Sequence, residues 1–275
     1  MPRVGTHPPG RLDQLGPFAS RHVVPRNVDV WCPPGYADRP DERYPVVYMH
    51  DGQNLFDPAL AYAGESWAID AAMLDVMHRL RLPGALVVAV WNTPQRWREY
   101  MPQKPYTQLR DEVAKSLYLE RAGGEPIADA YLQFLVTELK PYVDANYRSL
   151  PERAHTFLMG SSMGGLISLY AVNEHPAVYG GCACVSTHWP AGGNGLVDAL
   201  GSRLPSPADH RLYFDFGTRT LDADYEPYQC RMDACLRRAG YTEGKNWMTG
   251  KFEGAEHSEV SWRARAQVPL AFLLG

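Results

Sequence analysis

The sequence predicts an α/β fold, a central and mostly parallel sheet with helices on both faces, on three observations. Its short strand-like runs, such as "YPVVYMH" and "GALVVAV", are apolar throughout rather than alternating, as strands buried on both faces are. These runs alternate with segments whose apolar residues recur at helical spacing. The unusual polar clusters (Asp51, Asn92, Ser162, His188, the 218–226 loop and His257) all fall where a predicted strand ends. Parallel sheets place their sites at those carboxyl ends.

Taken in order, "SRHVVPRNVDVWCPPGY" (20–36) alternates and ends in Pro-Pro-Gly, which predicts an edge strand or hairpin. Residues 44–56 begin as a buried strand and break at Asp51-Gly52 into a turn. Residues 66–82 carry the spacing of a helix, and 84–92 form a second buried strand. The stretch 93–126 is polar and aromatic and too long for a simple connection, so it reads as a functional excursion. An amphipathic helix is predicted over 127–147. Strand 155–160, helix 163–175, strands 180–186 and 211–217, a helix near 225–239, strand 247–252 and a closing helix near 259–274 complete the chain.

Length and composition fit one domain, residues 1–275. The 275 residues can bury one sizeable core, 45% of them are apolar, and no repeat or linker-like tract divides them. A net charge of −4 gives no nucleic-acid footprint. No apolar run approaches the roughly 20 residues that span a bilayer. "MPRVGTHPPGRLDQLG" lacks the apolar core of a secretory signal. The expectation is a cytoplasmic protein that engages neither nucleic acid nor membrane, its oligomeric state open. The five cysteines include no Cys-x-x-Cys pair and read as free buried thiols in a reducing compartment, with Cys182 and Cys184 inside a strand.

The informative stretch is "HTFLMGSSMGGLISLYA" (155–171). Gly160-Ser161-Ser162-Met163-Gly164 fits Gly-x-Ser-x-Gly with Ser162 central. The pentapeptide alone would arise by chance in about one chain in ten of this length. Its context adds weight, because a strand precedes it and a helix follows it. A nucleophilic serine of this class sits on such a strained turn. A serine hydroxyl needs a base, and the base needs an orienting carboxylate; in this class the order along the chain is Ser, acid, His. His257, in the loop between the last strand and the last helix, suits the base. His175 lies on the polar side of a helix and His210 precedes its strand. His188 follows a strand next to the nucleophile's and reads as pocket lining. Asp215 lies inside strand 211–217. Asp222 in the loop beyond is the first choice for the acid and Asp224 the second, the other capping the next helix. Oxyanion donors are expected from the backbone N–H of Met163 and from that of Gln53, exposed by the turn at Gly52. Asp51 reads as stabilising that turn rather than as a chemical group. Pocket walls are expected from Trp97 and Tyr100 of the excursion and from Trp189, whereas Trp67 and Trp91 read as core. Arg96 and Arg98 read as a solvated face. No His-Glu-x-x-His and no Cys/His cluster suggests a metal, so no metal and no cofactor is expected.

Together "YPVVYMHDGQNLFD", "VWNTPQRWREYMPQKPY", "GSSMGGLISLY", "STHW", "LYFDFGT" and "EGAEHSEVSWRAR" resemble the putative-esterase family. That branch of the α/β-hydrolases includes enterobactin-esterase-like, feruloyl-esterase-like and esterase D-like proteins. The similarity runs in order over roughly residues 18–274. It implies an α/β-hydrolase fold, a metal-free Ser-His-acid hydrolase and a small-molecule ester as partner. It carries over Ser162 and His257, but not the acid, a position at which members vary. A more distant resemblance to mycolyltransferases supports Gln53 and Met163 as the oxyanion pair and keeps acyl transfer to an alcohol open. The sequence thus predicts a serine carboxylesterase. The alternatives are an acyltransferase with the same triad and a catalytically silent binding protein on the same fold.

Overall fold

The computed structural model describes the backbone of residues 3–6 and all of residues 9–275. Nine strands form one sheet: β1 (Arg3–Thr6), β2 (Arg11–Phe18), β3 (Arg26–Cys32), β4 (Val46–His50), β5 (Leu86–Val90), β6 (Thr156–Ser161), β7 (Gly181–Val185), β8 (Arg211–Gly217) and β9 (Trp247–Phe252). Their order is β1-β2-β3-β5-β4-β6-β7-β8-β9. Strands β4 to β9 pair in parallel, while β1, β2 and β3 add an antiparallel margin.

Side chains along the parallel strands alternate between two apolar cores. Val46, Tyr48, Leu212 and Phe214 face one core and Val47, Met49 and Tyr213 the other. Burial on both faces is what the continuous apolar runs require. One face is covered by α1 (Ile69–Leu80) and by α10 (Glu259–Arg263) and α11 (Gln267–Leu274). The other face carries α2 (Arg96–Tyr100), α3 (Gln103–Thr107), α4 (Glu112–Ala122), α5 (Ala128–Phe134), α6 (Lys140–Asn146), α7 (Met163–Glu174), α8 (Gly193–Gly201) and α9 (Glu226–Arg238). Helix α7, directly after the serine, has ten of its twelve residues buried.

Several expectations need correction. Residues 20–36 hold no edge strand: β3 lies third from the margin, paired on both sides. Its prolines (Pro25, Pro33 and Pro34) flank Arg26–Cys32 and remove no ladder donor from within it. The sequence reading also missed β2, because Gly16-Pro17 inside it reads as a breaker; the pairing with β3 shifts register there. It missed α8 as well, whose segment is rich in glycine. The 127–147 helix is continuous but widens over Leu135–Leu139, next to Pro141, which has no N–H to donate. The closing helix is two helices; Pro269 lies in the first turn of the second, where its missing donor costs little. Cys230 is exposed on α9, unlike the four buried thiols. Among the described residues no helix is long and apolar enough to cross a membrane.

Candidate active site

Ser162 lies between β6 and α7 with φ 57° and ψ −121°, a conformation costly for any residue with a Cβ. Two hydrogen bonds impose it: Ser162 N–H donates to Val185 O at 2.9 Å, and His188 N–H donates to Ser162 O at 3.1 Å. Glycine two residues before the serine is obligatory, since a Cβ at Gly160 would stand 2.7 Å from Gly164 O. The apex residue is Ser162, while Ser161 ends β6 and is buried.

The loop after β8 brings Asp222 beneath His257. Asp222 Oδ1 and His257 Nδ1 are 2.6 Å apart, with the carboxylate side chain fully buried and the imidazole 10% exposed. His257 N–H donates to Thr220 Oγ1, which fixes the loop carrying the imidazole. The other oxygen, Asp222 Oδ2, accepts from Gly217 N–H and Ser186 Oγ–H, each at 2.6 Å. Burial alone would raise the Asp222 pKa. The hydrogen bonds from His257, Ser186 and Gly217 outweigh it and hold the carboxyl below its usual range. Asp224 is exposed and is not a helix cap, because α9 starts at Glu226 after Tyr225.

Behind Asp222 lies a second buried layer. Ser186 Oγ accepts from Trp262 Nε1–H at 3.0 Å and from Arg265 Nη2–H at 2.8 Å. Two donors occupy both lone pairs of this hydroxyl, so its single proton points to Asp222. Arg265 also donates to both oxygens of Asp215, at 3.2 and 3.0 Å. Asp215, which sequence reasoning left inside its strand without a partner, therefore anchors the layer.

Ser162, His257, Gln53 and His188 line one cavity of about 400 Å³ at the carboxyl ends of the strands. Gln53 is the second residue of the short turn Gly52–Asn54 after β4, and Met163 opens α7; the first amides of a helical turn have no partner within it. The turn itself departs from expectation. Asp51, not Gly52, takes the left-handed conformation (φ 58°). Gly52 is required by close approach, since a Cβ there would meet Ala89 C at 2.6 Å. The Asp51 carboxylate holds Arg96 through two bonds (2.7 and 2.8 Å) and Asn92 Nδ2–H (2.6 Å). Arg96 is therefore an ion-paired wall of the cavity, not a solvated face, and its charge holds Asp51 ionised although buried. Arg98 donates to Glu125 O instead.

The excursion supplies one side of the cavity. Its helix α2 is anchored by Glu99, which is fully buried and accepts two hydrogen bonds from Arg26 of β3. Trp97 lines the cavity as expected. Tyr100 does not: it is fully buried, packed on His50 and Tyr131. Trp189 is likewise in the core, donating to Gln229 Oε1 and stacked on Phe214. Aromatic residues near a site can face either way, and only packing decides between wall and core. Trp67 is core, against Trp262. Trp91 donates to Asp29 outside the cavity. His188 shares a 2.6 Å hydrogen bond with Tyr225 OH through Nδ1; burial, then the nearby His257 and Arg121, lower its pKa to about 4. Sequence reasoning missed Tyr62, Arg121, Leu221, Glu259 and Trp262 as lining residues. A larger cleft of about 890 Å³ lies around Arg153, His210 and Lys245, at the amino ends of the strands, and is lined by no serine.

A serine on a strained apex, an imidazole held by a buried carboxylate and a shared cavity can perform nucleophilic acyl transfer without a metal. A model described as putative esterase matches residues 23–265. The chain is 24% identical over 175 residues to the uncharacterized protein YbbA of Bacillus subtilis (strain 168), spanning 63% of this chain and 62%, under two thirds, of that relative. Among solved structures it is similar to a ferulic acid esterase (16% identity, TM-score 0.66, covering 99% of this chain and 98% of that one). It is also similar to the enterobactin esterase FES from Shigella flexneri in the presence of 2,3-dihydroxy-N-benzoyl-glycine (18% identity, TM-score 0.66, covering 99% and 60%). At these identities the likeness shows the fold, that of the α/β-hydrolases. Since the family model spans most of its length, the chain belongs to the putative esterase family.

Proposed function

We propose that the chain is a serine carboxylesterase that hydrolyses a small-molecule carboxylic ester through an acyl-enzyme on Ser162. The observation that carries this reading is the 2.6 Å contact between Asp222 and His257, in a cavity lined by both His257 and Ser162. Asp222 accepts the Nδ1 proton of His257 and so leaves Nε2 as the base. Ser162 Oγ attacks the ester carbonyl while Nε2 takes its proton. The oxyanion accepts hydrogen bonds from the N–H groups of Gln53 and Met163. His257 returns the proton to the leaving alcohol and the acyl group stays on Ser162. Water, deprotonated by the same imidazole, then attacks the acyl-enzyme and releases the acid. Asp222 keeps its charge throughout and stabilises the imidazolium. Family membership supports this chemistry, and the names ferulic acid esterase and enterobactin esterase point to small esters.

The test is a panel of p-nitrophenyl and aryl esters, with mass analysis after a fluorophosphonate. Turnover with one adduct on Ser162 is expected. No turnover and no adduct would refute the reading. Product partitioning with added alcohol separates hydrolysis from acyl transfer: a product ester growing at the expense of acid would make the chain an acyltransferase.

A further inference from the structure

Besides the Asp222–His257 pair and His188, the walls of the cavity carry four charged or ionisable side chains: Asp51, Arg96, Arg121 and Glu259. Asp51 and Arg96 neutralise each other through two hydrogen bonds. Glu259 lies on their side of the cavity, and burial, then the neighbouring Asp51, raise its pKa. Arg121 differs from all of these. It stands in the last turn of α4 with its guanidinium 4.1 Å from the centre of the Trp97 ring. Among the described residues no carboxylate lies within ion-pair distance of it and no acceptor within hydrogen-bond distance. The Trp97 indole supports the guanidinium from one side; Arg121 is otherwise exposed, so its N–H edge is open to a ligand. Trp97 is itself fixed: its ring stands edge-on to His188 at 5.8 Å, and its carbonyl accepts from Tyr118 OH, one turn before Arg121 on the same helix. The nearby imidazole of His188 is uncharged at neutral pH, so Arg121 is the unbalanced cation on the Trp97–His188 side.

We infer that Arg121, held on Trp97, is a subsite for an anion, and that the natural substrate is an ester that carries a carboxylate away from its scissile bond. This rests on the esterase reading above. A planar guanidinium donates two parallel hydrogen bonds to a carboxylate, and one supported on an indole face does so at less entropic cost than a free side chain. The carboxylate can belong to the acyl part or to the alcohol part, and two pairs of probes separate these. For the acyl side the pair is mono-4-nitrophenyl glutarate against 4-nitrophenyl glutaramate. For the alcohol side it is 4-acetoxybenzoate against 4-acetoxybenzamide.

In one of the two pairs the wild-type chain should favour the anionic member in kcat/KM by roughly three- to fivefold, the effect of one ion pair at an exposed site. The preference should lie in KM and weaken with added salt. Arg121→Gln should bring the ratio within that pair near one, Arg121→Glu should invert it, and Arg121→Lys should restore it only in part. Because each ratio is taken within one variant, a general loss of folded enzyme cancels. Equal turnover of both members of both pairs by the wild type, or a preference that survives Arg121→Gln, overturns the subsite while leaving the esterase standing. No turnover of any of the four probes, with no fluorophosphonate adduct on Ser162, overturns both.

Discussion

Asp222→Asn should be more damaging than Asp222→Ala, and the hydrogen bonds around the carboxylate say why. An asparagine has one acceptor oxygen and one NH2 donor. Gly217 N–H and Ser186 Oγ–H both point at Oδ2 from 2.6 Å. The Gly217 donor cannot turn away, and Trp262 and Arg265 prevent Ser186 from doing so. The amide oxygen must therefore occupy the Oδ2 position, which turns its NH2 toward His257 Nδ1. That nitrogen then has to accept, the proton moves to Nε2, and the base is lost. An orienting carboxylate replaced in this way has cost about 10⁴-fold in kcat in serine proteases, or some 5.5 kcal/mol of transition-state stabilisation. Alanine presents no donor, so part of the population keeps the productive tautomer and the loss should be about tenfold smaller. Asp224→Asn should leave kcat within about twofold. The assay is kcat on one activated and one unactivated ester, because an activated ester demands less of the base. A loss under tenfold for Asp222→Asn on the unactivated ester would refute the argument and leave a Ser-His dyad.

Four further outcomes follow. Ser162→Ala should abolish turnover without unfolding and remove the fluorophosphonate adduct, whereas Ser161→Ala should retain most activity; an adduct on Ser161 would reverse the assignment. His257→Ala should remove turnover of the unactivated ester without unfolding; activity that survives it would take this imidazole out of the mechanism. Stability should fall on acidification. Burial lowers the pKa of His50 from 6.5 to about 4, so the unfolded chain takes up its proton first; the contribution is intact above about pH 6.5 and lost as pH falls toward 4, amounting to roughly 3 kcal/mol at 1.4 kcal/mol per unit. Chemical denaturation at pH 7 and pH 4.5 reads this, and His50→Gln should flatten the dependence. Lastly, Ser186→Gly suits the φ of 43° at that position and so should fold, yet lose about tenfold or more in kcat on the unactivated ester at unchanged KM, because Asp222 loses a donor that fixes the oxygen turned away from His257; an unchanged kcat would make Ser186 merely structural.

How much of this was legible in the sequence depends on what kind of constraint each feature obeys. The parallel strands were legible because burial on both faces demands unbroken apolar runs, as in β4 and β5. Ser162 was legible because the steric demand of its turn is local and is met by residues two positions away. His257 was legible, and the acid narrowed to Asp222 or Asp224, from chain order and strand ends, which parallel topology dictates. The antiparallel margin was not legible, since β2 contains Gly-Pro and is held by pairing rather than by its own composition. The ion pair of Asp51 with Arg96 spans 45 residues, and nothing in either local pattern announces it. Tyr100 and Trp189 failed as pocket walls for the same reason: which way an aromatic ring turns is settled by distant partners, here Tyr131 and Phe214.

The same distinction explains why the acid was the hardest residue to assign. Loop position alone left Asp222 and Asp224 both open. What separates them is the polar layer on β7, β8 and the closing helices. Asp215 sits in β8 and receives Arg265; Arg265 and Trp262 bind Ser186 just after β7; Ser186 binds Asp222. Each member is buried, and a buried polar group without a partner costs about 1–3 kcal/mol. Every link therefore requires the next, and the chain of donors ends at the one loop carboxylate it can reach. Asp224, exposed beyond it, satisfies nothing. The segments "LYFDFGT" and "SEVSWRAR" thus bear on the acid through Asp215, Trp262 and Arg265, although none of the three lines up with it in sequence. A candidate acid reached from Asp215, Arg265 and Trp262 through Ser186 can be recognised only after the elements that carry them are packed.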